Sequence, residues 1–501
     1  MFKGVCGVCC FVLACALCSC GSYKRGFSPS APSQPASLSS VDHVIVMLQE
    51  NRSLDSYFGE LRQYWRDNGY PDESFDGLPQ FNPTSGPAPL RGPAPTNPGC
   101  DPTHPVPSDC VFDPTNKVTS FHFQTMCVEN PSPSWNEAHV DWDYNDPVGN
   151  SAATLNGFVW SAAHDARVLK FHDINGIRAM GYYDGKDLNY YYYMATYFGT
   201  SDRWFQPVMS RTELNHDYLI AGTSQGTVYP AGTNANDTGL HSAKTIYQEL
   251  QDAGITWKIY VDPDGSPCTG PPYSASCLIH LSYVQNFSYA LTILANYPQN
   301  IAPISEYFTD VQNGTLPQVA FIEPASDAGL DEHPADTDTS LANVQKGASY
   351  TASLVGALMG SSSWKSSVFI LTFDESGGFY DHVQPASAVS PDDLKPADLQ
   401  PGDICSQTTG PTCDFTHTGY RVPLIVISPF TKQHYVSHTV ADYTAILKFI
   451  ETRFKLPSLT KRDAAQMDML EFFNFSNPPY YAPPTPPTQN LSGPCYLDHL
   501  P

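Results

Sequence analysis

Asp42-His43-Val44-Ile45-Val46-Met47-Leu48-Gln49-Glu50-Asn51-Arg52-Ser53-Leu54-Asp55 is the stretch that decides the fold. Six residues, His43 to Leu48, form an apolar run with no polar alternation, and the run ends abruptly in polar side chains. A strand of this kind is buried on both faces, which is the habit of parallel sheets covered by helices. Four further runs have the same character: Trp257 to Val261, Val319 to Ile322, Val368 to Phe373 and Val422 to Ile427. Helical patterns lie between and after them. Ala243 to Ala253 leads through Gly254, a helix-stop residue, into the run at 257. Tyr443, Ile446, Leu447 and Ile450 fall on one helix face. Alternating strands and helices predict an α/β fold, a three-layer αβα sandwich around a largely parallel central sheet.

In open parallel sheets, ligands collect beyond the carboxyl ends of the strands. The first strand runs into Gln49-Glu50-Asn51, and a later one runs into Asp374-Glu375-Ser376-Gly377-Gly378. Acidic residues in these places often do no more than cap the next turn. Two such pairs at one sheet edge, however, make a cage of oxygens for one hard divalent cation. Hydroxyl nucleophiles cluster in Met209-Ser210-Arg211-Thr212-Glu213-Leu214-Asn215-His216, where Ser210 and Thr212 both remain open. A hydroxyl held against a cation loses its proton more readily. Candidate proton donors are His333, in Asp331-Glu332-His333-Pro334, and His382, seven residues after Glu375. His122, His139, His280, His417 and His438 are further options.

The N-terminus reads as an export signal. Lys3 precedes an apolar run, Val5 to Leu17, which ends in Leu17-Cys18-Ser19-Cys20-Gly21. Residues 1–20 are expected to form a signal peptide with a lipobox-like end and a lipid on Cys20; a plain secretory signal is the alternative. Ser- and Pro-rich residues 21–40 read as a flexible tether, 41–476 as one domain with long insertions, and 477–501 as a Pro-rich extended tail. No stretch after the leader is apolar enough for a membrane span. Beyond the leader, Cys100/Cys110, Cys268/Cys277 and Cys405/Cys413 are close pairs in loops, expected to be local disulfides, with Cys127 and Cys495 left as a long-range pair. The net charge of −24 argues against nucleic acid as a partner.

Asp42 to Gly59 resembles the opening signature of the bacterial phosphoesterase family that includes non-haemolytic phospholipases C and a class of acid phosphatases. Phe373 to Val383 resembles its second signature, and Tyr420 to Pro429 with the helix His438 to Glu451 resembles its C-terminal part. The resemblance implies an alkaline-phosphatase-like fold with disulfide-bearing loop insertions and one divalent metal of open identity. It implies metal ligation by Glu50, Asn51, Asp374 and Glu375, with Thr212 as nucleophile and further ligand, and catalytic roles for His333 and His382. The implied reaction is hydrolysis of a phosphoester through a phosphothreonine, phospholipase C-like on a phospholipid. Acid phosphatase action on soluble monoesters is the alternative, and a surface lipoprotein that only binds phosphorylated ligands is the non-enzyme alternative. The chain departs from the family in two places. Leu214-Asn215-His216 stands where many members have Pro-Asn-Arg, and Pro133-Ser134-Trp135 where many have His-Ser-Trp, so a histidine contact to phosphate is either absent or supplied by His139.

Overall fold

The computed structural model describes residues 37–106, 108–231, 239–336 and 343–500. The signal-peptide and lipid-anchor expectations, Cys20 included, therefore lie outside the described residues, as does most of the tether. The central sheet has eight strands: β1 (His43–Gln49), β2 (Gly199–Ser201), β3 (Trp257–Val261), β4 (Ile301–Pro303), β5 (Val319–Ile322), β6 (Ser367–Phe373), β7 (Leu424–Ile427) and β8 (Tyr435–Ser437), in the order β8-β2-β7-β6-β1-β5-β3-β4. β1 lies in the middle, parallel to β5 and β6, with Val46 opposite Phe321 on one side and Ile370 on the other. β3 and β4 continue the parallel set.

The fold is thus mixed α/β around a large, mostly parallel sheet, as expected, with one reversal. β7 is antiparallel to both β6 and β2. Its four residues are all buried, so by composition it reads like its parallel neighbours; an apolar run records burial and carries no strand direction. Three short strands, β2, β4 and β8, have no apolar run long enough to announce them. Every residue of β6 is buried, so both sheet faces are covered.

The helices follow local rules. Thr245 caps the helix Ile246–Asp252 through Gln248 N, and Gly254 takes a left-handed φ of 71°. In the helix Thr444–Phe454, Ile446, Leu447 and Ile450 are fully buried. The insertions include a two-stranded ribbon, Thr96–Cys100 with Phe112–Thr119, stapled by Cys100–Cys110. Cys268–Cys277 and Cys405–Cys413 close two more loops, and Cys127–Cys495 ties the C-terminal segment to the body. That segment runs against the body: Trp364 Nε1 donates to Tyr480 O at 2.8 Å and Gln489 Nε2 to Asp187 O at 2.7 Å. Among the described residues no helix is long and apolar enough to cross a membrane.

Candidate active site

β1 and β6 are adjacent, parallel and in register to their last residues, Gln49 opposite Phe373. The residues that follow them therefore emerge side by side. Asp374 N donates to Gln49 O, and Asn51 N donates to Asp374 Oδ1 at 2.8 Å. Asn51 adopts φ +64°, a left-handed conformation that Asn tolerates better than most side chains. Gly377, at φ +70°, lies so close that a Cβ would sit 2.5 Å from Asn51 O. Glycine at this position lets the second turn close onto the first.

Glu50, Asn51, Asp374 and Glu375 are all buried. The carboxylates are only partly satisfied by protein. Glu50 Oε1 accepts from Tyr283 Oη at 2.8 Å, Asp374 Oδ1 from Glu375 N at 2.7 Å, and Glu375 Oε2 from Gly377 N at 2.6 Å. Asp374 Oδ2 and Glu375 Oε1 have no partner. Burial pushes all three carboxyls above their ordinary range, reinforced by Asp331 and Asp374 at Glu50 and by Asp374 at Glu375. Buried, convergent and under-bonded carboxylates call for positive charge. The donor set fits a divalent cation.

Thr212 is the first residue of the helix Thr212–Ala221, and its Oγ1 donates to Asn51 Oδ1 at 3.3 Å. The hydroxyl also supports the Asp374 carboxylate. Ser210, the alternative hydroxyl, donates instead to Val228 O at 2.7 Å. Arg211, exposed, reaches Ser134 Oγ at 2.7 Å.

The two expected catalytic histidines part company. His333 is half-buried; its Nδ1 contacts Pro334 O at 2.5 Å and lies 3.9 Å from Asp336 Oδ2, and Glu213, next to Thr212, is within its electrostatic reach. His382 is engaged elsewhere. Its Nδ1 meets Asp55 Oδ2 at 2.7 Å and its Nε2 meets Asp76 Oδ1 at 3.2 Å. Burial alone would lower its pKa, but Asp55 and Asp76 lift it to about 9. Arg421 joins the same cluster through Asp381 at 2.8 Å and Asp55 at 3.2 Å. Because Asp55 follows the first signature turn and Asp381 the second, this cluster pins the two turns together. His139 is fully buried, with its ring nitrogens against Trp135 O and Thr412 O. Burial lowers its pKa to about 4, and with both ring nitrogens against main-chain carbonyls it has none left to offer a phosphate.

Sequence reasoning passed over three residues here. Tyr283 comes from an insertion with no motif, and it supports Glu50 while its ring stacks on His216, centroids 3.8 Å apart. His216 is buried with an unpartnered Nε2, and burial lowers its pKa to about 3. Arg52 donates through Nη1 to Asn51 O but leaves Nε and Nη2 unpartnered. Two of them carried a signal: Arg52 by its place directly after Glu50-Asn51, and His216 by standing where many family members have Arg.

The model of the phosphoesterase family matches residues 41–457, most of the chain. The chain belongs to the phosphoesterase family. Similar proteins include phospholipase C B of Mycobacterium tuberculosis, 28% identical over 92% of this chain and 82% of the relative. Non-hemolytic phospholipase C of Burkholderia pseudomallei is 27% identical, covering 91% of this chain and 62% of the relative. Non-specific phospholipase C5 of Arabidopsis thaliana is also 27% identical, over 84% and 72%. Among solved structures, murine ectonucleotide pyrophosphatase/phosphodiesterase 5 overlaps 54% of this chain and 91% of its own, at 11% identity and a TM-score of 0.30. A Vibrio parahaemolyticus protein of the alkaline phosphatase superfamily overlaps 55% and 63%, at 12% identity and the same TM-score of 0.30. Overlaps this low set no residue equivalences. This phosphoesterase is a phosphoric ester hydrolase, acting on a phosphoester substrate.

Proposed function

We propose that the phosphoesterase cleaves its ester through a covalent phosphothreonine on Thr212, with phospholipids as substrates and a phospholipase C outcome. The observation that carries this reading is the Thr212 hydroxyl, held 3.3 Å from Asn51 Oδ1 at the start of a ten-residue helix and beside under-bonded Asp374. A helix N-terminus is favourable ground for a phosphoryl group. Thr212 Oγ1 attacks phosphorus and releases its proton to solvent as the P–Oγ bond forms and the P–O bond to the alcohol breaks. The leaving oxygen takes a proton from His333. Water then adds to phosphorus and passes a proton back to His333, the P–Oγ bond breaks, and Thr212 Oγ1 takes a proton from solvent, which restores its hydroxyl. Glu50, Asn51, Asp374 and Glu375 would hold a divalent cation with the Thr212 hydroxyl against it. Such an ion supplies charge that acidifies an attacking hydroxyl and offsets the phosphoryl oxygens. His382 acts by position, fixing both signature turns through Asp55.

The phospholipid assignment is supported by the relatives, three of which are phospholipases C. Export is supported by the four disulfides, which persist in oxidising compartments. Incubation with phosphatidylcholine vesicles should release diacylglycerol and a phosphorylated head group, and a chelator should stop it. Acid quenching during turnover of phosphatidylcholine should leave the phosphorylated head group esterified to the Thr212 peptide. Hydrolysis of soluble monoesters alone would move the assignment to acid phosphatase, and an unmodified Thr212 peptide would replace the hydroxyl by water as the attacking group.

A further inference from the structure

His216 is the fifth residue of the helix Thr212–Ala221, and it stands where the chain departs from its family. Its ring is buried, and Nε2 has no hydrogen-bond partner. A ring nitrogen of His216, a carboxylate oxygen of Glu50 and one of Asp374 all lie within 4.8 Å of one another. Tyr283 fixes two members of this trio, stacking on the imidazole at 3.8 Å and donating to Glu50 Oε1 at 2.8 Å. Asp374 Oδ2 is likewise without a partner. Unpaired buried polar atoms are costly, and His216 and Asp374 each carry one within the group they form with Glu50.

We propose that His216 is a nitrogen ligand of the cation held by Glu50 and Asp374, and that it makes the site select a zinc-like ion over calcium or magnesium. The inference rests on the metal reading above and goes beyond it, since the expected set of Glu50, Asn51, Asp374, Glu375 and Thr212 is all oxygen. Oxygen-only cages suit hard ions, whereas an imidazole favours zinc and its neighbours. Zinc bonds of about 2.1 Å in a tetrahedral array place donors about 3.4 Å apart, so modest side-chain closure brings the trio to bonding distance. A ligating imidazole ordinarily has a carboxylate or water on its other nitrogen. A cavity of about 10 Å³ lined by His216 and the buried Glu323 has room for one water in that role.

The experiment is competitive titration of the metal-free full chain with Zn²⁺ and with Ca²⁺, alongside His216→Gln and His216→Leu. Zinc should bind the wild type more tightly than calcium. Either substitution should weaken zinc at least tenfold while changing calcium severalfold at most, and His333→Gln should leave zinc affinity unchanged. Pulsed electron paramagnetic resonance of wild type loaded with one equivalent of Cu²⁺ should show a coordinated imidazole, a readout that survives even if the variants fail to fold. Unchanged zinc affinity in folded His216 variants, or a Cu²⁺ signal without imidazole, overturns the ligand role of His216 alone. Failure of the wild type to bind either ion overturns the metal reading beneath it.

Discussion

His382→Gln separates a histidine that holds the active-site turns from one that donates a proton. In the folded protein the imidazole lies between Asp55 at 2.7 Å and Asp76 at 3.2 Å, which raise its pKa from 6.5 to about 9 despite burial. At about 1.4 kcal/mol per pH unit, that rise corresponds to about 3 kcal/mol of stabilisation by the protonated ring. The folded state binds the proton more tightly than the unfolded chain. The stabilisation is therefore fully present below pH 6.5 and is lost as pH rises through about 9. Urea unfolding followed by tryptophan fluorescence should place His382→Gln about 4 kcal/mol below wild type near pH 6, narrowing by about 3 kcal/mol towards about 1 kcal/mol near pH 10, where only lost neutral hydrogen bonds remain. Turnover of the folded variant should fall far less than turnover of Thr212→Val. A stability gap that does not change between those pH values would refute the charged-histidine account, and a folded variant as inactive as Thr212→Val would restore His382 as a catalytic group.

Thr212→Val removes the attacking oxygen and keeps the shape; turnover should drop by several orders of magnitude, with Thr212→Ser partly active, as steady-state rates on a soluble phosphodiester would show. Asp374→Ala combined with Glu375→Ala should abolish bound divalent metal and hydrolysis while leaving the circular dichroism of the fold intact, and elemental analysis finding full metal content would count against the ligand assignment. Gly377→Ala places a methyl group 2.5 Å from Asn51 O at φ +70°; urea unfolding should register a loss above about 1 kcal/mol, with weakened metal retention because the two turns no longer close. Replacing Cys127 and Cys495 by Ser opens a link spanning 368 residues, for which loop-closure entropy sets a loss of up to about 6 kcal/mol, against about 3 kcal/mol for Cys100–Cys110, which spans 10; chemical denaturation of the two double variants gives the comparison.

The strands that matter most are legible in the order of residues alone. Burial on both faces leaves an unbroken apolar run, and β1, β3, β5 and β6 were legible for that reason almost to the residue. The polar break at each strand's end marked Glu50, Asn51, Asp374 and Glu375 as neighbours at one edge, and close spacing within loops let the local cysteine pairs be read. The choice of Thr212 over Ser210 came from family likeness, because a polar octapeptide carries no geometry of its own. Which side chains face one another is settled by packing between distant segments. Strand direction at β7 depends on the connection between strands, and the short edge strands take their pairing from neighbours already in place. His382 was singled out because it follows a signature turn, and nothing local foretold that Asp55 and Asp76, 327 and 306 residues away in sequence, bind its two ring nitrogens. His216 looked like part of a polar loop; a helix and the ring of Tyr283 bury it beside Glu50 and Asp374. Local pattern is set by which face of an element is buried, whereas the partners of a polar side chain are set by contacts between distant segments, and those exist only once the chain has packed.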